Sequence, residues 1–253
     1  MADPRPTGEH IVHSFDDELK ALTVTLMQMG GMAETQLASA IDAVAKRDGR
    51  LAEKVIEADQ QVDDLDQQVD TLVTRLFALR QPMAVDLRVV LTGLRMSGDI
   101  ERIGDYAKNV AKRAIVLSQH PPLPTVYGVV RMATLVRQRF KEVLDAYAER
   151  DVDKAVSVWQ RDAEVDELYN SLFREVLTYM MEDPRTITVG THLLFIAKNL
   201  ERIGDLATNI AEYIHFMVEG ARIEHERPKG DETSLVKAPD EDIATANGGN
   251  DEP

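Results

Sequence analysis

The chain contains no cysteine, so neither a disulfide framework nor a thiolate metal site is available to it, which fits a reducing cytoplasm. Aromatic residues are scarce at 5%, although hydrophobic residues reach 44%. Leu, Val, Ala and Met therefore carry the apolar load. Ten prolines and 14 glycines are few for 253 residues, which suits long helices. No stretch approaches the roughly 18 unbroken apolar residues of a membrane span. The opening Met1-Ala-Asp-Pro-Arg-Pro-Thr-Gly8 lacks the apolar run of a secretory signal. Positive charge is also short, because the formal net charge is −15. Nucleic acid is disfavoured, since phosphate backbones demand a basic face, and so is direct binding to anionic lipid. Metal ions and basic protein surfaces remain as natural partners.

What is present is a stretch written twice. Asp99-Ile-Glu-Arg-Ile-Gly-Asp-Tyr-Ala-Lys-Asn109 returns as Asn199-Leu-Glu-Arg-Ile-Gly-Asp-Leu-Ala-Thr-Asn209, displaced by 100 residues. Such self-similarity means that one structural unit has been built twice. Met96, Ile100, Ile103, Ala107, Val110, Ala114 and Leu117 step by four and three, as do Ile196, Leu200, Ile203, Ala207, Ile210, Ile214 and Met217. That spacing predicts two helices with an apolar seam for packing against other helices. Glu101 and Asp105, like Glu201 and Asp205, stand one turn apart on one helix face. They fall outside the seam and are expected on an outer face.

The same reading extends along the chain. A first helix runs from Phe15 through Leu26 and Leu37 to Val44, with Gly30-Gly31 in its middle. Two central glycines cost roughly 1 kcal/mol each relative to alanine, which a close helix neighbour, a kink or a hinge would explain. A second helix is traced by Leu51 to Leu79 and ends near Pro82; a third runs from about Val85 to Ser118. Pro121-Pro122-Leu-Pro124 cannot continue a helix. The second half repeats the plan. Helix four is traced by Val129 to Tyr147, helix five starts at Asp151 and breaks at Pro184, and helix six ends near Gly220.

The expectation is an all-α protein of two tandem three-helix bundles related by an internal pseudo-two-fold repeat. The bundles span residues 12–119 and 125–220. Residues 221–253 form a tail that, from Glu224 onward, carries nine acids against three bases, and its composition predicts disorder.

The acids recur on the second helix of each repeat. Asp59 and Asp63 match Asp162 and Asp166, displaced by 103 residues. In an antiparallel hairpin, helices about 8–10 Å apart can place such pairs across from the Glu-xxx-Asp pairs, around one or more cations. Like charges at i,i+4 destabilise a helix by a few tenths of a kcal/mol, yet the pattern occurs four times. The residues alone leave both a solvated face and a metal site open. All-oxygen ligands suit hard ions without selecting among them. A di-iron bundle would need two Glu-xx-His pairs; Glu212 and His215 make one, and its counterpart is Lys112 and Ile115. With no phosphate loop and no nucleophile arrangement, an enzyme is not expected.

The duplicated Glu-Arg-Ile-Gly-Asp helices, Met29-Gly30-Gly31-Met32, and Gln81-Pro82 before Asp86-Leu87-Arg88 resemble the PhoU family over about residues 12–220. The resemblance implies a cytoplasmic, non-enzymatic negative regulator of the phosphate-starvation response. Such a protein links the phosphate ABC transporter, chiefly its ATPase subunit, to the membrane sensor histidine kinase, and so modulates phosphate uptake. It would be recruited to the inner face of the membrane through these partners, without inserting itself, and would often dimerise. The resemblance also implies metal clusters, iron or zinc, with manganese or magnesium compatible. One would use Asp59, Asp63, Glu101 and Asp105, the other Asp162, Asp166, Glu201 and Asp205. A carboxylate-rich bundle for metal storage is the alternative that the acids alone suggest.

Overall fold

The computed structural model describes residues 8–80, 82–225 and 227–229. Each apolar seam becomes a helix that buries one stripe, and among the described residues there is no strand. Helix α1 spans Gly8–Lys46, α2 Gly49–Ala58, α3 Gln60–Arg80 and α4 Ala84–Ser118. The second repeat follows with α5 Val126–Glu149, α6 Val152–Gln160, α7 Ala163–Glu182, a 3₁₀ turn Pro184–Thr186, and α8 Ile187–Glu219.

The repeat is visible in the turns as well as the helices. Both α1 and α5 end on an arginine in the left-handed region, Arg47 at φ 56° and Arg150 at φ 55°. Each arginine is followed by an aspartate that caps the next helix. Asp48 accepts from the amides of Arg50 and Leu51, and Asp151 from that of Lys154. These caps satisfy amides that a helix start leaves without a partner. Gly220, at φ 77°, closes α8, as a glycine past a helix end commonly does.

The second helix of each repeat is not continuous, contrary to the expectation from its seam. It breaks at Asp59, between α2 and α3, and at Arg161-Asp162, between α6 and α7. In a regular helix the Val55 carbonyl would receive the Asp59 amide. Here Gln36 Nε2 donates to that carbonyl at 3.4 Å and to Asp59 Oδ1 at 2.9 Å. In the second repeat, Arg161 Nε donates to the Ser157 carbonyl at 2.8 Å. A side chain that inserts into the backbone ladder is a recognised cause of a kink. The next turn tightens, with the Val62 amide on the Asp59 carbonyl and the Val165 amide on the Asp162 carbonyl.

The seam residues are buried as their spacing requires, Met96, Ile103 and Val110 in α4 and Ile196, Ile203 and Ile210 in α8 among them. The cores of the two bundles are nevertheless one continuous cluster. Helices α4 and α8 lie antiparallel against each other. Arg88 donates to the Met217 carbonyl and Thr92 to that of Tyr213, while Arg113 meets His192 at the far end. Arginines stack on rings across this contact, Arg113 over Phe195 at 4.7 Å and Arg202 over Tyr106 at 5.8 Å. A second bridge joins α1 to α5 at Gly30, which the side chain of Leu144 overlies.

Most of the acidic tail lies outside the described residues. Where it begins, Arg227 and Lys229 turn back onto the second bundle, a contact that composition did not signal.

Two acidic clusters and the cations that fill them

Glycine brings the signature helices close to the kinked ones. A β-carbon on Gly104 would stand 3.2 Å from Gln36 Oε1 and 3.4 Å from Val62 Cγ1, and one on Gly204 would stand 3.2 Å from Val165 Cγ1. Each kink therefore sits against the turn that carries Glu-xxx-Asp, and each set of four acids gathers around one junction.

Four of these acids are not on an outer face. Asp59, Asp162, Asp166 and Glu201 are 3–6% exposed. Glu201 was expected on an outer face; it is covered where α7 approaches the unbroken α8 at Gly204, whereas Asp59, Asp162 and Asp166 lie at the kinks or one turn past them. A buried carboxylate needs partners, and both clusters supply them.

In the first cluster Lys108 Nζ bonds Asp59 Oδ2, and it reaches Asp105 Oδ1 at 3.1 Å. Gln36 Nε2 occupies the other oxygen of Asp59. The hydrogen bond to Asp59 holds the Lys108 ammonium above the usual lysine range, against the opposing effect of burial. Asp63 and Glu101 hold no such hydrogen bond, and at Asp63 only the charge of Lys108 opposes the rise. Burial first, then the charge of neighbouring acids, raises both above the ordinary carboxylate range; Glu101 feels Asp105, Asp63, Asp66 and Asp59.

The second cluster is filled from elsewhere. Arg227 Nε bonds Asp162 Oδ2 at 2.6 Å, and Nη2 bonds Asp162 Oδ1 at 3.2 Å. The same Nη2 reaches Asp205 Oδ1 at 2.5 Å and the Asp205 carbonyl at 3.3 Å, while Nη1 bonds Asn209 Oδ1 at 3.1 Å. Thr208 Oγ1 donates to Asp162 Oδ1 at 2.8 Å. Lys198 Nζ bonds Glu201 Oε1 at 2.9 Å. The other oxygen of Glu201 is buried without a hydrogen-bond partner. Burial raises the Glu201 carboxyl, with Lys198 opposing and Asp205 and Asp166 adding to it.

The structure brings acids of each predicted set to one junction, Asp59 and Asp105 onto Lys108 and Asp162 and Asp205 onto Arg227, with Asp63 and Glu101 near the first pair and Asp166 near Glu201. It also adds residues that the motif left out: Gln36, Asp66, Lys108, Thr208 and Arg227. Lys108 was legible, since it lies three residues after Asp105 and so one turn along the same face. Arg227 carried no sequence signal, because nothing local ties it to Asp162. Among the described residues, no three His, Asp or Glu side chains converge at a geometry that could hold a metal ion. The carboxylates are spread around an ammonium in one cluster and a guanidinium in the other.

The repeats also diverge beside the clusters. In the second, Arg139, Glu142, Arg161 and Glu164 form an ion-pair network between α5 and the α6–α7 junction. The corresponding positions of the first repeat hold Gln36, Ser39, Ala58 and Gln61, which line an open groove of about 640 Å³ together with Met27, Met32 and Leu51.

A family model described as the PhoU domain matches residues 26–114 and again residues 129–214. A phosphate-specific transport system accessory protein PhoU homolog of Caulobacter vibrioides is 53% identical over 224 residues, covering 88% of this chain and 97% of that protein. The Escherichia coli phosphate-specific transport system accessory protein PhoU is 39% identical over 223 residues, covering 86% and 90%. Among solved structures, that of PhoU from Pseudomonas aeruginosa superimposes with a TM-score of 0.80 at 40% identity, over 82% of this chain and all of that one. The phosphate transport system regulatory protein PhoU from Streptococcus pneumoniae gives 0.77 at 28% identity, over 83% and 100%.

Proposed function

The chain belongs to the PhoU family, and from that premise we propose that it is a non-enzymatic negative regulator of the phosphate-starvation response. It links the phosphate ABC transporter, through its ATPase subunit, to the sensor histidine kinase, and so modulates phosphate uptake. The observation that carries this reading is coverage. The family model fits both repeats, and relatives named for phosphate-specific transport align over nearly their whole length. In this proposal the protein works in the cytoplasm, at the inner face of the membrane, as a homodimer. Absence of cysteine suits that compartment, and no helix among the described residues is long and apolar enough to cross a membrane.

The eight carboxylates enter this reading as cation sites. Asp59, Asp63, Glu101 and Asp105 would hold one metal centre, and Asp162, Asp166, Glu201 and Asp205 the other. Iron, zinc, manganese or magnesium would supply positive charge that binds the helices of each bundle together. The donor set fits by chemistry, being all oxygen, with Glu101 raised by burial and neighbouring acids and one Glu201 oxygen unpartnered, although among the described residues no three of the acids converge while the two cations are in place. Lys108 and Arg227 would have to give way, since each holds two of the acids.

Deletion of the gene tests the regulatory reading. Phosphate-starvation genes are expected to stay switched on in phosphate-rich medium, and unchanged expression would reject it. Co-purification with the transporter ATPase and the kinase separates this adaptor from a metal-storage bundle, which needs neither.

A further inference from the structure

The two clusters share a signature but not a cation. At the position of Lys108 the second repeat carries Thr208, whose hydroxyl donates to Asp162 and brings no charge. The missing positive charge arrives from beyond the end of α8, where Arg227 bonds Asp162, Asp205 and Asn209. Lys229 lies 3.8 Å from Asp205 and adds to it. The guanidinium meets both oxygens of Asp162, in the planar fork geometry that arginine favours with carboxylates.

These two arrangements differ in what release requires. Lys108 is a residue of α4 itself and can only swing its side chain away from Asp59. Arg227 lies past the α8 cap at Gly220, so it can depart together with its segment. Glu201 of the same set is buried, one oxygen held by Lys198 and the other without a hydrogen-bond partner, an acceptor that Arg227 does not fill.

We propose that residues 221–225 and 227–229 form a latch, with Arg227 as the built-in cation of the second acidic cluster, and that a divalent metal entering this cluster expels it. Metal loading and the position of the C-terminal segment are then linked equilibria, and each shifts the other by the same factor. The first cluster, with its cation anchored in α4, has no such coupling. This inference rests on the reading of the second set of acids as a metal site.

Because the chain lacks cysteine, a single His225→Cys substitution in the full-length protein gives one attachment point for a nitroxide. Asp63→Asn and Glu101→Gln are added so that bound metal is counted at the second cluster alone. Zinc is the probe, being diamagnetic and high in the affinity order of divalent metals. The nitroxide spectrum is expected to be broad without metal and to sharpen on Asp162→Asn with Asp205→Asn. It is also expected to sharpen when one equivalent of zinc binds to the chain with intact second-cluster acids. Arg227→Gln is expected to tighten zinc binding about tenfold. A spectrum unchanged by the acid substitutions overturns the latch. Zinc bound with the spectrum still broad and Arg227→Gln without effect on affinity overturns the coupling, while the metal reading stands. No zinc on any variant, Arg227→Gln included, overturns both.

Discussion

A β-carbon placed on Gly30 would stand 2.7 Å from Leu144 Cδ2 and 2.8 Å from its Cδ1. The first helix of one repeat therefore touches the first helix of the other at backbone distance. Neighbouring Gly31 has nothing within 4 Å of the same construction. Two adjacent glycines thus have different reasons, one a packing contact and the other open space.

The pair makes an internally controlled test. Gly31→Ala is expected to stabilise the protein by up to about 1 kcal/mol through helix propensity. Gly30→Ala meets the buried Leu144 and is expected to lose about 1–3 kcal/mol to overpacking, offsetting the same propensity gain. Urea denaturation should place the midpoint of Gly30→Ala below that of Gly31→Ala. Equal midpoints would show that α1 and α5 do not meet here in solution.

The carboxylates make the second prediction, which follows from the two sets sharing no ligand. Asp63→Asn with Glu101→Gln should remove metal from the first cluster only, and Asp166→Asn with Glu201→Gln from the second only. Saturation a hundredfold above Kd stabilises a fold by about 2.7 kcal/mol, so chelator should lower the wild-type melting temperature. In chelator, Asp63→Asn with Glu101→Gln should match the stripped wild type or exceed it slightly, because burial and mutual repulsion already oppose these charges. Full metal content in both variants, with melting insensitive to chelator, would identify the acids as structural.

Lys108 is the third case. Asp59 is 3% exposed, and Lys108→Thr copies the second repeat into the first without supplying an Arg227. Loss of a charged hydrogen bond to a buried carboxylate is expected to cost about 1–3 kcal/mol. Metal affinity of the first cluster should rise at the same time. Stability by urea and metal content by elemental analysis read the two effects on one sample, and an unchanged midpoint would assign the pair no structural role.

Glu18 gives a pH dependence with a defined sign. It ties α1 to the end of α3, accepting from Arg80 Nε at 2.9 Å and Nη2 at 3.3 Å, with Arg75 also at 3.3 Å. The Arg80 hydrogen bond holds its carboxyl below the usual range, against burial. A depressed folded value means that the contribution is complete above the unfolded value of about 4.3 and is lost as pH falls through the folded one. Glu18→Gln should therefore destabilise by roughly 0.5–1 kcal/mol at pH 7, as for a well-formed surface pair. The two melting curves should converge in acid, and a gap that persists there would mean the effect is packing rather than charge.

The helices, their order, the duplication and the eight acids were written in the sequence because each depends on local spacing. A four-three seam such as Met96 to Leu117 buries the same stripe whatever it packs against, and a signature repeated at 100 residues needs no coordinates to be seen. The kinks at Asp59 and Asp162 were not legible. Their seams continue unbroken, and the disruption comes from Gln36 on another helix in one case and from Arg161, on a neighbouring carbonyl, in the other. Asp59, Asp162 and Asp166 are buried at those kinks or one turn past them, and Glu201, which the heptad frame assigned outward, is buried where α7 approaches Gly204. The joining of two bundles into one core depended on faces meeting across the repeat boundary, α4 on α8 and α1 on α5. Only tertiary structure could say which cation reaches which acid. The motif specifies negative charge at a spacing, but the partner of Asp162 lies 65 residues away in Arg227, where the chain's path, and no periodicity, brings it.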